Sequence, residues 1–152
     1  VIQMTWPGAP TIYYGDEAGL CGWTDPDNRR CYPWGKEDQE LIRFHRDIIA
    51  LHKQSKALKT GSVKIVYGAH KVLAYGRFDD EEKYLICINN NYEDVTITIP
   101  VWQIGMSSGM MLCRLMETSE QGYSMEPKSY GIQNNTLTIT LPKISGVILK
   151  AL

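Results

Sequence analysis

The sequence predicts a mainly β fold: an antiparallel β-sandwich of about eight strands, preceded by one short strand, a long loop and one α-helix. Three observations lead there. Residues 60–152 hold one short apolar-alternating run after another, each ended by Gly, Pro or Asn, which is the texture of antiparallel sheets packed face to face. Residues 37–57 change to a helical period. Residues 1–36 are rich in Gly, Pro and aromatics and carry three of the four tryptophans.

The elements follow in order. VIQMTW is apolar and stops at Pro7-Gly8, a strong break. TIYYGDE at 11–17 is a β-favouring run between a Gly-Ala-Pro turn and a glycine. The stretch after Glu17, CGWTDPDNRRCYPWG, has neither a helix nor a strand period. A loop of about twenty residues inside a compact domain is usually functional. The helix is expected over 38–56, with Asp38 as N-cap. Leu41, Phe44, Ile48 and Leu51 form its apolar stripe, widened by Ile42 and Ile49, while Glu40, Arg43, Asp47 and Lys53 fall on the other side. Beyond it, VTITI at 95–99 and TLTITL at 136–141 alternate cleanly, so Val95, Ile97, Ile99, Leu137, Ile139 and Leu141 face inward. KVLAYGRF at 71–78, KYLICINN at 83–90, MLCRLME at 111–117 and GVILKAL at 146–152 are further strands, and Asp79-Asp80-Glu81-Glu82 is a charged hairpin turn.

Charge and cysteine usage narrow the function classes. Sixteen basic residues balance 17 acidic ones for a net charge of −1, and no basic stripe supports nucleic-acid binding. No apolar run reaches the length of a membrane span. The first residues lack a leader pattern, and a start at Val1 inside an apolar segment reads as a cut through a longer protein, which leaves the compartment open. None of the four cysteines sits in a C-x-x-C pair or beside a histidine at metal-ligand spacing. No metal or cofactor is implied. Cys87, inside YLICINN, is expected as a core thiol, whereas Cys21 and Cys31 flank the polar loop and can either pair or stay thiols. His45 and His52 lie seven apart at the border of the helical stripe, and His70 sits in a solvated turn.

The assembly PGAPTIYYGDEAGL…DPDNRRCYPW, a helix ending IIALHKQSKAL, and then VLAYGRF…YLICINN resembles family 13 glycoside hydrolases, most of all the neopullulanase, cyclomaltodextrinase and maltogenic amylase group. The resemblance implies a (β/α)8 barrel followed by a β-sandwich. Residues 1–57 would then be the last part of the barrel, with 11–17 as its eighth strand and 38–56 as its eighth helix, and residues 60–152 would be the sandwich. The implied parent is a retaining hydrolase of α-glucosidic bonds in maltodextrin, cyclodextrin, starch or pullulan. Its catalytic carboxylates would follow barrel strands 4, 5 and 7, so the resemblance places no catalytic residue in this chain. Asp16 and Glu17 do not replace them, because neighbouring strand side chains point to opposite faces and a retaining pair stands about 5–5.5 Å apart. On this reading the chain is a non-catalytic scaffold.

Active sites of such barrels lie at the C-terminal ends of the strands, where the loop after 11–17 would be. Asp25 and Arg29 match the group's D-P-x-x-R pattern, which implies contact with glucose units on the non-reducing side of the cleaved bond; the other reading is an ion pair internal to the loop. Trp23 and Trp34 flank it and can stack on sugar or pack on the loop. Glu17 is expected as a carboxylate that fixes loop geometry, with direct sugar contact as the other reading. Trp102, in IPVWQIG, is expected in the core. A stand-alone glucan-binding module would instead use Trp102, Tyr123 or Tyr130 as platforms. Residues 1–20 are expected to lack partners, leaving Ile2, Met4, Trp6, Ile12, Tyr13 and Tyr14 to drive self-association, with the sandwich indifferent to them.

Overall fold

A computed structural model describes all 152 residues. Nine strands follow one another: β1 Ser62–Ala69, β2 Val72–Phe78, β3 Lys83–Asn89, β4 Val95–Ile99, β5 Met111–Ser119, β6 Gly122–Ser124, β7 Ser129–Gly131, β8 Leu137–Leu141 and β9 Ser145–Ala151. Seven of them form one sheet in the order β1-β2-β3-β9-β5-β6, with β7 also on β5, and β4 and β8 form a second. Every ladder is antiparallel. The predicted alternation holds in the small sheet. Ile97, Ile99, Leu137, Ile139 and Leu141 face Val72, Ala74, Leu85, Cys87, Leu112, Val147 and Leu149 of the large one, a dry core between two layers. On the solvent side Thr96 pairs with Thr140 and Thr98 with Thr138 through their hydroxyls, at 2.8 and 3.0 Å.

The large sheet is buried on both faces. Tyr75, Tyr84, Ile86, Met116 and Ile148 point away from the sandwich core, against Met4, Ile48, Ala57 and Leu58. This is why YLIC in β3 is apolar without alternation. The helix α2, Gln39–Gln54, supplies Ile48 to that layer. Asp38 caps it as expected, its carboxylate accepting from the N–H groups of Glu40 and Leu41. The helix expected to run to 56 breaks at Ser55, whose hydroxyl accepts from Leu58 N–H and starts a second short helix, α3, at Lys56–Thr60. At Gly76 a Cβ would sit 2.7 Å from Ile104, so only glycine lets the 3-10 turn Val101–Ile104 settle on β2.

Two expectations for the first residues fail. TIYYGDE forms no strand: Tyr13 to Asp16 turn sharply and Asp16–Ala18 is a 3-10 helix. A β-favouring run needs a neighbour to pair with, and no strand lies beside it. Nor are residues 1–6 left unpartnered. Ile2–Thr5 is a helical turn, preceding α2 in the chain and designated α1, with Met4 and Thr5 buried. Thr5 Oγ1 meets Tyr75 Oη at 2.5 Å, and His52 Nδ1–H donates to the Met4 carbonyl at 2.8 Å. The sandwich is therefore not indifferent to this segment, which covers part of its outer face. Ile2, Trp6, Tyr13 and Tyr14 do remain exposed.

Arg77, in the middle of β2, joins these pieces. Its side chain is 0% exposed and has no carboxylate partner. Nη1 donates to the Thr5 carbonyl at 2.7 Å, Nη2 to those of Ala57 at 2.9 Å and Gly61 at 3.1 Å, and Nε to that of Ser62 at 3.4 Å. The α1 and α3 C-termini thus both end on one guanidinium, where their dipoles favour a cation. Burial pulls its pKa below the ordinary arginine value, while the Tyr75 phenol opposes that shift.

Candidate functional site

The loop between the 3-10 turn and α2 is closed at its base. Asp38 N–H donates to the Ala18 carbonyl at 3.1 Å, and Ala18 itself is buried. Glu17 Oε2 accepts from Gly15 N–H at 3.0 Å. Gly15 stands at φ 92°, and a Cβ there would lie 2.7 Å from Leu20, so Glu17 braces a turn that only glycine makes.

Within the loop a second 3-10 turn, Asp27–Arg29, sets the side chains. Asp27 is its organiser. Its carboxylate accepts from Trp23 N–H at 3.0 Å and takes a forked bond from Arg30, with contacts of 2.7, 2.8 and 3.0 Å. The Arg30 hydrogen bond, with help from Trp23, holds this carboxyl below its ordinary value. The Arg30 carbonyl in turn accepts from Tyr14 O–H at 2.9 Å. Neither Asp27 nor Arg30 was singled out from the sequence, and Tyr14 was named only as part of an apolar patch; the i,i+3 acid–base spacing of Asp27 and Arg30 was the available signal.

Asp25 and Arg29 are brought together, Oδ1 to Nε at 2.6 Å, with both side chains more than half exposed. The pair faces solvent and leaves the terminal guanidinium nitrogens free of hydrogen bonds within the chain. Trp23 and Trp34 are 82% and 81% exposed. Tyr32 leans on Trp34 with ring centroids 4.5 Å apart. Its phenol is raised above the ordinary value by desolvation and by the charges of Glu17 and Glu37. The arrangement offers donors, acceptors and open aromatic faces, which suits recognition of a neutral polyhydroxylated ligand.

The remaining candidates separate clearly. Cys87 is fully buried, and Cys21 and Cys31 are exposed free thiols with no bond between them. His45 Nδ1–H is spent on the Leu41 carbonyl at 2.9 Å. Trp102 overturns its expectation: it is 60% exposed. In its tight turn Val101 and Ile104 take the inward positions, three residues apart, and Trp102 points out. Tyr123 and Tyr130 are not free platforms. Tyr123 O–H donates to Asp47 at 2.5 Å and its ring meets the edge of Phe44 at 5.3 Å. Tyr130 is half-buried against the sandwich core, with the Lys128 ammonium 5.4 Å over its ring.

Comparison with known proteins identifies relatives of the chain as a whole. The chain is 33% identical over 160 residues to an amylopullulanase of Thermoanaerobacterium saccharolyticum, an alignment that takes in 98% of this chain and 12% of that protein. It is 35% identical over 127 residues to a cyclomaltodextrinase of Geobacillus thermopakistaniensis, covering 78% of this chain and 22% of the other. The solved debranching enzyme of Nostoc punctiforme superposes with a TM-score of 0.77 at 32% identity, over 97% of this chain and 29% of that one. The chain thus spans less than a third of each of these relatives. Residues 67–151 match the model of the alpha amylase C-terminal all-beta domain, and the chain belongs to that family.

Proposed function

We propose that the chain is the C-terminal part of a retaining hydrolase of α-glucosidic bonds in starch-type glucans, and that it serves there as scaffold and substrate loop. Residues 1–57 are the end of the (β/α)8 barrel and residues 60–152 the sandwich beneath it. The observation that carries this is the loop. A solvent-facing Asp25–Arg29 pair is flanked in sequence by two exposed tryptophans, Trp23 and Trp34, on a segment locked through α2 and α3 to a domain of the amylase C-terminal family. The exposed Ile2, Trp6, Tyr13 and Tyr14 form the face on which the rest of the barrel sits. The loop binds and orients glucose units: Arg29 donates to vicinal hydroxyls, Asp25 accepts, and Trp23 and Trp34 cover sugar faces. Cleavage belongs to carboxylates carried by other barrel strands.

Two measurements test this. The 152-residue chain, incubated with maltotriose, cyclodextrin or pullulan, releases no reducing sugar above blank. In the enzyme that carries it, Arg29→Ala raises KM about tenfold and changes kcat little, because a charged hydrogen bond to a hydroxyl is worth about 1.5–3 kcal/mol. Unchanged KM in that variant confines the Asp25–Arg29 pair to loop packing.

A further inference from the structure

We infer that Trp102, together with Asn135, forms a binding site for an α-glucan chain on the sandwich domain itself. The glucan identity rests on the function proposed above; the site rests on four observations. The indole is 60% exposed although it sits on a short turn whose neighbours Val101 and Ile104 are fully buried, so a large apolar face is presented on a rigid base. Its backbone N–H is fastened to the Asn135 carbonyl at 3.3 Å, which brings the 3-10 turn and the β7–β8 turn side by side.

The second turn is equally fixed. Asn134 and Asn135 both adopt positive φ, at 50° and 59°, between Gln133 and Thr136, which bond each other reciprocally at 2.9 and 3.0 Å. Ser108 N–H and Oγ–H both donate to Asn135 Oδ1, at 2.9 and 3.2 Å, and Asn135 N–H returns a bond to Ser108 Oγ at 2.8 Å. The carboxamide is therefore oriented with its oxygen occupied, and Nδ2 is left with two N–H donors unused. An aromatic face beside a fixed amide donor is how a pyranose is gripped: its apolar C–H face covers the ring and a hydroxyl accepts from the amide.

The surroundings select a neutral ligand. Residues 100–110 and 132–142, which supply both turns, contain no charged side chain. Lys83, whose stem runs against Gly105, brings one ammonium near the turn, too little to hold an acidic protein partner or a nucleic acid, and an uncharged polysaccharide needs none. Trp102 also lies on a different element from Trp23 and Trp34, so its contribution can be isolated by mutation.

The test titrates the 152-residue chain with maltoheptaose by calorimetry and runs it on native gels cast with soluble starch. Trp102→Ala weakens maltoheptaose binding about tenfold or more and abolishes retardation by starch, as truncating an aromatic anchor does. Asn135→Asp, which keeps Oδ1 for Ser108 and removes the Nδ2 donors, weakens binding severalfold. Tyr92→Ala, which removes an exposed aromatic on the β3–β4 turn outside both sites, binds as the wild type does. Equal binding by Trp102→Ala and the wild type overturns the inference, as does the absence of maltoheptaose binding in the wild type. Loss of binding in Tyr92→Ala to the extent seen in Trp102→Ala also overturns it. The Arg29→Ala kinetics share no variant with this experiment, so failure of the proposed function and failure of the Trp102 site are told apart.

Discussion

Replacing Arg77 by Met removes a cation from the centre of the molecule, and the structure indicates how much that costs. The side chain is 0% exposed, so methionine keeps much of the aliphatic packing while every donor is lost. Of the four carbonyls it serves, that of Ala57 keeps a bond from Gly61 N–H at 2.9 Å. The carbonyls of Thr5 and Gly61 lose a charged donor in a dry setting, each loss worth about 1.5–3 kcal/mol. Relief of the buried charge offsets part of this. The net is a destabilisation of about 2–4 kcal/mol, or a fall in Tm of about 5–15 °C for a chain of this size. Arg77→Lys falls with it, because one ammonium does not span carbonyls from α1, α3 and β1. The assay is thermal and urea unfolding followed by circular dichroism, repeated after deletion of residues 1–6. Since Thr5 is one of the acceptors, the deletion and the substitution overlap and fall short of additivity by about 1 kcal/mol or more. A Tm within about 2 °C of wild type, or strict additivity, refutes the claim that Arg77 fastens α1 to the sheet.

Two more outcomes follow from the same coordinates. Partial burial pushes the Glu82 carboxyl up, but Lys150 and the bonds from Ser55 and Ala57 outweigh it and bring it down to about 2. Its stabilisation is therefore full above the ordinary carboxyl range and is lost as pH falls from about 4.5 to about 2. Glu82→Gln flattens the Tm–pH curve in that window and costs about 1–2 kcal/mol at neutral pH after screening, and an unchanged acid slope counts against the assignment. Burial pushes the Cys87 thiol up to about 12, so in the native protein a thiol reagent modifies Cys21 and Cys31 and reaches Cys87 only after unfolding. Native labelling of Cys87 at the rate of Cys21 contradicts this.

Strands with one face in and one face out were legible from their side chains: β4 and β8 alternate, and their inward residues are those the pattern names. Strand β1 was not named although Val63, Ile65, Val66 and Tyr67 favour a strand; on this edge strand Val63 and Ile65 are exposed, so its apolar pattern does not mark a core face. Strands β6 and β7 are three residues each, too short for any period. TIYYGDE shows the opposite error, a local preference with no ladder to satisfy it. In the loop, Asp25 and Arg29 were picked out by the family resemblance, through its D-P-x-x-R pattern, whereas Asp27, which shapes the loop, carries no such mark in the sequence. The exposure of Trp102 was illegible because its apolar neighbours suggest a core, and only the phase of a 3-10 turn turns it outward. Arg77 gave no signal of its role, since its partners are backbone carbonyls, which every residue has.

The position of β9 has a consequence for synthesis. The last of the nine strands in chain order lies in the middle of the large sheet, with β3 on one side and β5 on the other. As the chain leaves the ribosome, the β1–β2–β3 meander is complete long before its inner edge has a partner, and β5 waits in the same way. Until Ser145–Ala151 emerges, two apolar half-sheets stand open at the edges where they will later be joined. A nascent chain stalled or cut just short of residue 145 thus exposes pairing edges to its neighbours on the polysome. Shielding of those edges until Ser145–Ala151 arrives therefore bears on how much of the chain reaches the finished fold.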